Sequence, residues 1–528
     1  MRANDNSHAG SERFWNVVFA IAAVLLLALL VPIALLSTFN FVNGDDVGLL
    51  NLVLDRGWIE TTKWFATYSM VRPVFIGLYS GLADLTFSLG LTPLDWIRIV
   101  VFVDYLLPIA AATWLVRVVL PRMPFALALA FAVAMILTTL LASLTLSAPV
   151  FSNVLLAWVV SNYLPGFAFY CALLASFFLF VSKLELRKWI SILLLLAFVL
   201  YAGTHEVNVV GGLVFVGAAG LVSLRWARRS SPIDGGSRVS RMIRVRPEMH
   251  SRLVYLTGIV MVLIAGAFVY LHLTVHAFDN RAGYTTKATP VEAMARAAAD
   301  LVNLVPNTYL VSSPLFGILF LLAVVVSRRY GLARFMKGAN RNFLLVPIPV
   351  FFVVSFVTIV GSYMQTGSAI PRLLNYTGLH LVIAVFCLGI YVGTSGVVQR
   401  RRLLGARVLA GVGFLAVAGL VAADPVYRVA FSSATGPGLK LAEGYEKRDD
   451  LLKMGRDKVV RYPLVFMMLS SGTGTPIPYA PVIGWPPSGP GADSYRSGLA
   501  KLYGVRDIEF IDCAKDPSLR ECFYVQVP

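Results

Sequence analysis

The feature that most constrains this fold is a series of long apolar runs separated by short basic stretches. Apolar residues make up 58% of the 528 positions and charged residues only 14%, and the mean hydropathy is +0.75. A helix needs roughly 18 to 20 apolar residues to cross a bilayer, and many runs approach or exceed that length. The sequence therefore predicts an all-α polytopic membrane protein. The first run, Phe14–Ser37, is too long for a signal-peptide core and lacks a small-residue cleavage site, so we expect it to be retained.

The basic residues are concentrated in a few short segments. Together with the N-terminus, five loops hold 24 of the 45 Lys and Arg residues but only 5 of the 28 Asp and Glu residues, a net charge of +19, whereas the rest of the chain nets −2. This asymmetry is typical of cytoplasmic loops, so the overall charge of +17 does not indicate nucleic acid as a partner. The five loops are Arg117/Arg122, Lys183–Lys188, Arg225–Arg252, Arg328–Arg341 and Arg400–Arg407.

Alternation of these loops predicts about eleven transmembrane helices, with the N-terminus cytoplasmic and the C-terminus extracytoplasmic. Counting Pro73–Leu91 as a crossing would move the later basic loops outside. We therefore expect it to form a surface-lying or re-entrant pair of helices within an extracytoplasmic segment, 39–95. The predicted spans are about 14–38, 96–119, 123–146, 163–182, 189–204, 208–224, 253–275, 310–327, 342–361, 375–395 and 406–423.

A second extracytoplasmic helix is predicted between the spans that end near 275 and begin near 310. The sequence Thr289-Pro290-Val291-Glu292 combines an N-cap, a proline at the first helical position and a capping-box glutamate. An apolar stripe at helical spacing follows, which favours a helix lying on the membrane or against the spans. The stripe consists of Val291, Met294, Ala298, Leu301 and Val305.

The chain changes character after residue 423, which divides a membrane domain, 1–423, from a small soluble domain, 424–528. Residues 440–457 have the pattern of a polar amphipathic helix, Val459–Leu469 and Phe523–Val527 that of strands, and 470–491 is a Gly/Pro-rich loop. An α+β domain is therefore expected. Cys513 and Cys522, nine positions apart, are predicted to form a disulfide, whereas Cys171 and Cys387 lie in spans and are expected only to pack.

Asp45 and Asp46 are the first candidates for chemistry, because two adjacent carboxylates follow the first span directly. A charged pair so close to hydrocarbon is costly. Two interpretations are open at this point. The pair is either part of a solvated turn that ends the helix, for which Asn-Gly-Asp is suitable, or a base or metal ligand held at the membrane surface.

Other polar residues are predicted at the same side of the membrane: Arg72, His205, Glu206, Arg281, Lys287 and Arg372, with Trp158 and Tyr163 at interfacial height. Arginines there suit a phosphate group. The alternatives are that Arg72 and Arg372 only snorkel, that His205-Glu206 is a solvated turn, and that Lys287 is solvated on a loop. Asp104, inside the second span, is expected to pair with Arg98 or to act in catalysis.

Several of these segments resemble the GT-C superfamily of integral-membrane glycosyltransferases, in particular bacterial phage-type O-antigen glucosyltransferases and related cell-surface polysaccharide enzymes. The acidic pair Asp45-Asp46 follows the first span, and a juxtamembrane segment then begins with Arg72-Pro73 and continues to Trp96-Ile97-Arg98. Further similarity lies in Trp158…Tyr163, Gly203-Thr204-His205-Glu206, and a terminal domain that holds Tyr445–Asp449 and Tyr503-Gly504-Val505.

The resemblance implies transfer of a sugar from a polyprenyl-phosphate-linked donor to a cell-envelope glycan or glycolipid acceptor, with inversion, on the periplasmic face of a bacterial inner membrane. It implies Asp45 or Asp46 as the general base and the arginines as ligands of the donor phosphate. His205 stands where these proteins usually have a small polar residue. A divalent metal therefore stays open as a cofactor, with Asp45, Asp46, His205 and Glu206 as possible ligands.

Two alternatives to the transferase are open, and the first belongs to another functional class. A transporter or flippase for lipid-linked glycans would use polar residues at mid-membrane, broken helices and paired repeats, to which only Asp104 and a few Pro and Gly residues correspond. A ligase that joins whole glycans to a lipid shares the chemistry of the transferase and differs in its product.

Overall fold

The computed structural model describes most of the chain, and nearly all of what it describes is helical. The described residues are 3–38, 44–68, 72–146, 157–182, 187–229, 247–274, 288–310, 313–332, 338–367, 374–395, 405–435, 437–464 and 490–512.

Fourteen helices precede the tail within these residues, together with a 3₁₀ segment, Gly338–Leu345. In chain order they are α1 (Ala3–Thr38), α2 (Gly44–Tyr68), α3 (Pro73–Ser88), α4 (Pro93–Val119), α5 (Phe125–Leu146), α6 (Ala157–Ser182), α7 (Arg187–Ala202), α8 (Glu206–Arg229), α9 (Pro247–Thr274), α10 (Pro290–Leu310), α11 (Ser313–Tyr330), α12 (Pro347–Thr366), α13 (Leu374–Thr394) and α14 (Ala406–Ala423).

Eight of the described helices contain segments long and apolar enough to cross a membrane, namely α1, α4, α5, α6, α11, α12, α13 and α14. Helices α7, α8 and α9 contain shorter apolar segments. The chain is therefore a helical, multi-pass membrane protein. The sequence placed its eleven spans on these same eleven helices, with ends that differ by several residues; α6, for example, begins at Ala157 rather than near 163.

Helices α2 and α3 belong neither to the eight long apolar helices nor to the three shorter ones, and they pack against each other. Gly57 in α2 has φ 74° and ψ 169°, a conformation that favours glycine, so two helical pieces meet there at a kink. The hydroxyls of Thr62 and Ser80 lie 3.1 Å apart and join the second piece to α3. The expectation of two helices within Pro73–Leu91 is wrong, because the segment forms one continuous helix to Ser88 whose partner is α2.

Helices α11 and α13 approach closely through two glycines of a Gly-x-x-x-Gly pattern. A Cβ added to Gly389 would lie 2.7 Å from the carbonyl oxygen of Phe320, and one added to Gly393 would lie 2.2 Å from the Ser327 hydroxyl. Small residues at this spacing let helix backbones pack directly in a membrane. The contact also brings the last turn of α13 beside the last turn of α11.

Helix α10 begins as expected. The backbone N–H of Thr289 donates to Glu292 Oε2 at 2.9 Å, and that of Glu292 donates to the Thr289 hydroxyl at 3.3 Å, which completes the capping box. The Thr289 N–H and the Thr289 hydroxyl both donate to the Glu292 carboxylate and lower its pKa. The predicted apolar stripe is not the buried face: Ala293 and Ala297 are fully buried, whereas Val291 is 72% exposed.

The tail begins with α15 (Pro425–Thr435), which packs on α1, and α16 (Pro437–Met454). Strand β1 (Val459–Leu464) pairs in parallel with β2 (Asp507–Asp512), and α17 (Pro490–Tyr503) lies between them in the sequence. The first predicted strand, Val459–Leu469, is confirmed over Val459–Leu464, and its remaining residues lie outside the described ones. Helix α17 and strand β2 were not predicted. The segment predicted as the second strand, Phe523–Val527, lies outside the described residues.

Candidate functional site

Arg72 and Glu206 form an ion pair between two segments far apart in the chain. Arg72 immediately precedes α3, and Glu206 is the first residue of α8. The Arg72 Nε donates to both carboxylate oxygens, at 3.1 and 3.0 Å. The side chains are 14% and 22% exposed, so much of the pair is shielded from solvent. Glu206 thus fixes the position of the Arg72 guanidinium.

A close backbone contact holds these two segments together. The Val74 N–H donates to the Gly203 carbonyl oxygen at 3.1 Å. A Cβ on Gly203 would lie 2.5 Å from Val74 Cγ2, which is too close for any other residue at that position without a shift. Gly203 therefore lets the first turn of α3 lie against the turn that carries Glu206.

Side chains within the 203–208 turn bond to one another. The Thr204 hydroxyl donates to the Tyr201 carbonyl oxygen at 2.7 Å and accepts from Asn208 Nδ2 at 2.8 Å. His205 is 7% exposed; its Nδ1 accepts the Val207 N–H at 3.2 Å and lies 3.2 Å from Glu206 Oε2. The expectation of a solvated turn is wrong, because Thr204, His205 and Asn208 are buried.

The acidic pair lies in the first turn of α2. Asp45 is the second residue of this helix, and its side chain is outside the described residues. Asp46 is 1% exposed, so the solvated-turn interpretation is wrong for this residue. A carboxylate in the first turn of a helix is stabilised by the helix dipole. Arg72 and His205 both contact Glu206, whereas Asp46 lies in the first turn of α2 and Arg72 follows the last residue of that helix, Tyr68.

That end of α2 carries the tail domain. The Asn51 amide donates to the carbonyl oxygen of Gly498 in α17 at 3.0 Å, and Lys501 Nζ lies 2.6 and 2.7 Å from the two oxygens of Asp55. A Cβ on Gly498 would lie 2.5 Å from Val47 Cγ1. Val47 directly follows Asp46, so α17 rests against the turn that holds the acidic pair.

A second ion pair joins the tail to the membrane domain. Arg98 in α4 bonds to Glu446 in α16, and its guanidinium lies 3.8 Å from Asp95. Within the tail, the Tyr503 hydroxyl donates to Asp449, which also lies 2.6 Å from Lys453 Nζ. Burial raises the pKa of Tyr503, and the charge of Asp449 adds to this.

Asp104 lies inside α4 and is fully buried. It accepts a hydrogen bond from the Tyr79 hydroxyl of α3, and Trp96 Nε1 donates to the Tyr79 carbonyl oxygen at 3.2 Å. The expected pairing of Asp104 with Arg98 is wrong, because Arg98 turns toward Asp95 and the tail. Asp104 instead holds the juxtamembrane helix α3 against the second span.

Several predicted site residues lie outside the described residues, so their predictions stay open. These are Arg281, Lys287, Arg372, and the predicted disulfide partners Cys513 and Cys522. Trp158 and Tyr163 belong to the first turns of α6, but their side chains are outside as well. Within the described residues, no three His, Cys, Asp or Glu side chains are grouped as metal ligands. The side chain of Asp45, one of the possible ligands, is not among the described ones.

Sequence reasoning missed three residues that build this region: Tyr79, Asn51 and Lys501. Tyr79 lies in an apolar helix, where a tyrosine is usually a packing residue, so no pattern marks it. Asn51 and Asp55 follow Val47 at steps of four along α2, and that spacing does indicate a common face.

Comparison with known proteins adds no assignment. No protein-family model matches the chain, and no characterised protein matches its sequence.

Proposed function

We propose that this protein is a membrane glycosyltransferase that moves a sugar from a polyprenyl-phosphate carrier to a cell-envelope glycan or glycolipid at the extracytoplasmic face of a bacterial inner membrane. The observation that carries the proposal is the Arg72–Glu206 pair. It fixes a guanidinium at the predicted outer end of the helices, in the same juxtamembrane region that begins with Asp45 and Asp46. An anchored arginine and an acidic pair on one segment at a membrane surface suit a lipid-phosphate donor.

The reaction is a single displacement. A hydroxyl oxygen of the acceptor attacks the anomeric carbon of the donor sugar while Asp45 or Asp46 takes the hydroxyl proton. The bond between the anomeric carbon and the phosphate oxygen breaks, and its electron pair leaves with polyprenyl phosphate. Attack from the opposite side of the ring inverts the configuration at that carbon.

Arg72 stabilises the phosphate as negative charge develops on its leaving oxygen. Glu206 is a positioning residue in this scheme, because it holds Arg72 Nε with both carboxylate oxygens and does not itself contact the donor. His205, buried beside Glu206, supports the same arrangement. Arg281 and Arg372 are proposed as further donor-phosphate ligands, with Trp158 and Tyr163 as contacts of the substrate.

The experiment uses the purified full chain with a radiolabelled polyprenyl-phosphate sugar and envelope glycan, and follows the release of polyprenyl phosphate. Replacing the base lowers the rate by about 10²- to 10⁴-fold, so we expect this loss for Asp45→Asn or Asp46→Asn. Asp84→Asn is a matched control, because Asp84 also lies on a juxtamembrane helix, α3. Wild-type rates for both variants at 45 and 46 would overturn the assignment.

Asp104 supports a second candidate, a transporter or flippase for lipid-linked glycans. Its Oδ2 is buried and has no hydrogen-bond partner among the described residues. An acid of this kind inside a span is a feature of substrate and proton pathways. Movement of the labelled lipid across proteoliposomes without bond cleavage would favour this candidate, and analysis of the product separates a transferase from a ligase.

A further inference from the structure

The opposite ends of the helices carry a group of arginines that the proposed reaction does not use. Arg328 lies in the last turn of α11, Arg341 in the 3₁₀ segment, and Arg407 is the second residue of α14. Each is therefore at or near one end of a candidate span: Ser313–Tyr330, Arg341–Met364 and Ala406–Ala423, respectively. This is the height at which lipid headgroups meet a membrane protein, and the charge pattern predicts that it faces the cytoplasm.

Contacts of α13 bring Arg328 and Arg341 to the same place. Gly393 packs directly on Ser327, the residue before Arg328. Arg341 Nη1 donates to the carbonyl oxygen of Thr394, the residue after Gly393, at 3.0 Å, and the guanidinium lies 4.7 Å from the centre of the Tyr391 ring. Both arginines therefore lie at the last turn of α13.

Arg407 reaches the same group from α14. It hydrogen-bonds with the side chain of Tyr330, the last residue of α11, and its Nη2 lies 3.5 Å from Glu12 Oε1. This ion pair is solvated, because the Glu12 side chain is 70% exposed. Arg329, next to Arg328, adds another positive charge, so among the described residues these contacts involve four guanidinium groups and one carboxylate.

The guanidinium nitrogens of this group are incompletely bonded. Among the described residues, no hydrogen-bond partner exists for the buried Nε and Nη2 of Arg328, the Nε of Arg341 or the Nε of Arg407. Buried donors in native proteins are nearly always bonded. Several such donors of one charge, on three segments that end at this side of the bundle, are therefore suited to an anion.

We propose that Arg328, Arg341 and Arg407 bind the phosphate group of an anionic phospholipid in the surrounding leaflet. Guanidinium groups bind phosphate oxygens with paired, charge-assisted hydrogen bonds, and basic pockets between membrane helices are suited to lipid headgroups. A lipid is favoured over free phosphate because the three arginines lie at the ends of spans, where phosphodiesters of the bilayer are concentrated. This site is independent of the proposed transferase activity.

The test uses the purified full chain in a neutral detergent, with native mass spectrometry and thermal unfolding. Phosphatidylglycerol, phosphatidylcholine and inorganic phosphate are added separately. We expect phosphatidylglycerol to remain bound and to raise the unfolding temperature, while phosphatidylcholine and inorganic phosphate at equal concentration have little effect. If inorganic phosphate raised the unfolding temperature as much as phosphatidylglycerol does, the ligand would not be a lipid. If phosphatidylcholine bound as well as phosphatidylglycerol, the proposed anion site would be wrong.

Arg328→Gln and Arg329→Gln are the matched variants, because they remove the same charge from neighbouring residues. Arg329 is exposed, and its guanidinium lies 5.9 Å from the centre of the Tyr330 ring. We expect at least a fivefold loss of phosphatidylglycerol affinity for Arg328→Gln and no loss for Arg329→Gln. Equal losses would indicate general surface charge and overturn the proposal. Arg328→Lys, which keeps the charge, provides a second folded variant and should bind with intermediate affinity.

Discussion

Charged side chains are arranged differently at the two ends of the helix bundle. At the predicted outer end, charged groups from distant parts of the chain meet groups of opposite sign: Arg72 meets Glu206, Arg98 meets Glu446, and Asp55 meets Lys501. At the predicted inner end, the arginines of α11, the 3₁₀ segment and α14 outnumber the one carboxylate that contacts them within the described part of the chain, where several of their buried nitrogens have no partner.

This difference indicates what each end is built to do. Ion pairs between distant segments fix the juxtamembrane helices and the tail relative to the spans, which a site with fixed geometry requires. An excess of positive charge does not hold two segments of the chain together, but it can bind an anion from outside the chain. The comparison predicts that outer variants lower activity or stability without any added ligand, whereas inner variants change the response to lipid.

The largest effect in this comparison is expected for Arg72→Ala. Loss of a group that stabilises developing charge lowers the rate by about 10²-fold or more, and it also leaves Glu206 partly buried without the arginine. We expect the transfer rate and the unfolding temperature to fall together. Arg56→Ala is the control, because Arg56 is exposed on α2 and no ion pair of it is found among the described residues. Unchanged transfer by Arg72→Ala would remove the main support for the proposed function.

At the inner end, Gly393→Ala tests whether the arginine group depends on the packing of α13 on α11. The new Cβ would lie 2.2 Å from the Ser327 hydroxyl and 2.6 Å from the Val324 carbonyl oxygen, and overpacking of this kind costs about 1 to 3 kcal/mol. We expect a lower unfolding temperature and weaker binding of phosphatidylglycerol. Gly317→Ala in α11 is the control, since nothing lies within 4 Å of its added Cβ.

The sequence predicted the parts of this architecture that depend on local pattern. Apolar runs located the helices, and Thr289 and Glu292 correctly marked the start of α10. Partners far apart in the chain have no such signal: Arg72 and Glu206 are separated by 134 positions, and Asp55 and Lys501 by 446. Asp104 was assigned to Arg98 because six positions separate them, but the tertiary fold supplied Tyr79 from another helix.

The tail shows a different limit. The alternation of Ile508 and Phe510 with charged residues is a strand signal, but β2 is only six residues long. Short strands of this length are weakly specified by pattern, because their pairing with a distant strand, here β1, decides whether they form.

A smaller effect is expected for Tyr79→Phe in α3, the residue that donates to Asp104 of α4. The change removes the hydroxyl that donates to Asp104 while it keeps the ring packed, and leaving a buried acceptor without its donor costs about 1 to 3 kcal/mol. The unfolding temperature measures this loss. Tyr79→Phe combined with Asp104→Leu removes both polar groups and should recover part of it. If the double variant is less stable than the sum of the single variants predicts, the hydrogen bond does not hold α3 against α4.

The smallest effect is expected at the contact between α2 and the tail. The Asp55 and Lys501 side chains are 47% and 51% exposed, and solvated pairs of this kind contribute only about 0.2 to 1 kcal/mol. A double-mutant cycle of Asp55→Ala and Lys501→Ala, measured by unfolding at low and high salt, should give a coupling energy in this range that decreases with salt. Gly498→Leu should perturb the same contact more, because its side chain would collide with Val47, next to Asp46. The result to look for is that Gly498→Leu lowers the transfer rate while Asp55→Ala and Lys501→Ala leave it unchanged. Close packing rather than charge would then hold the end of α2 that carries Asp46. The outer end would in that case depend on a glycine contact, as the packing of α11 on α13 does.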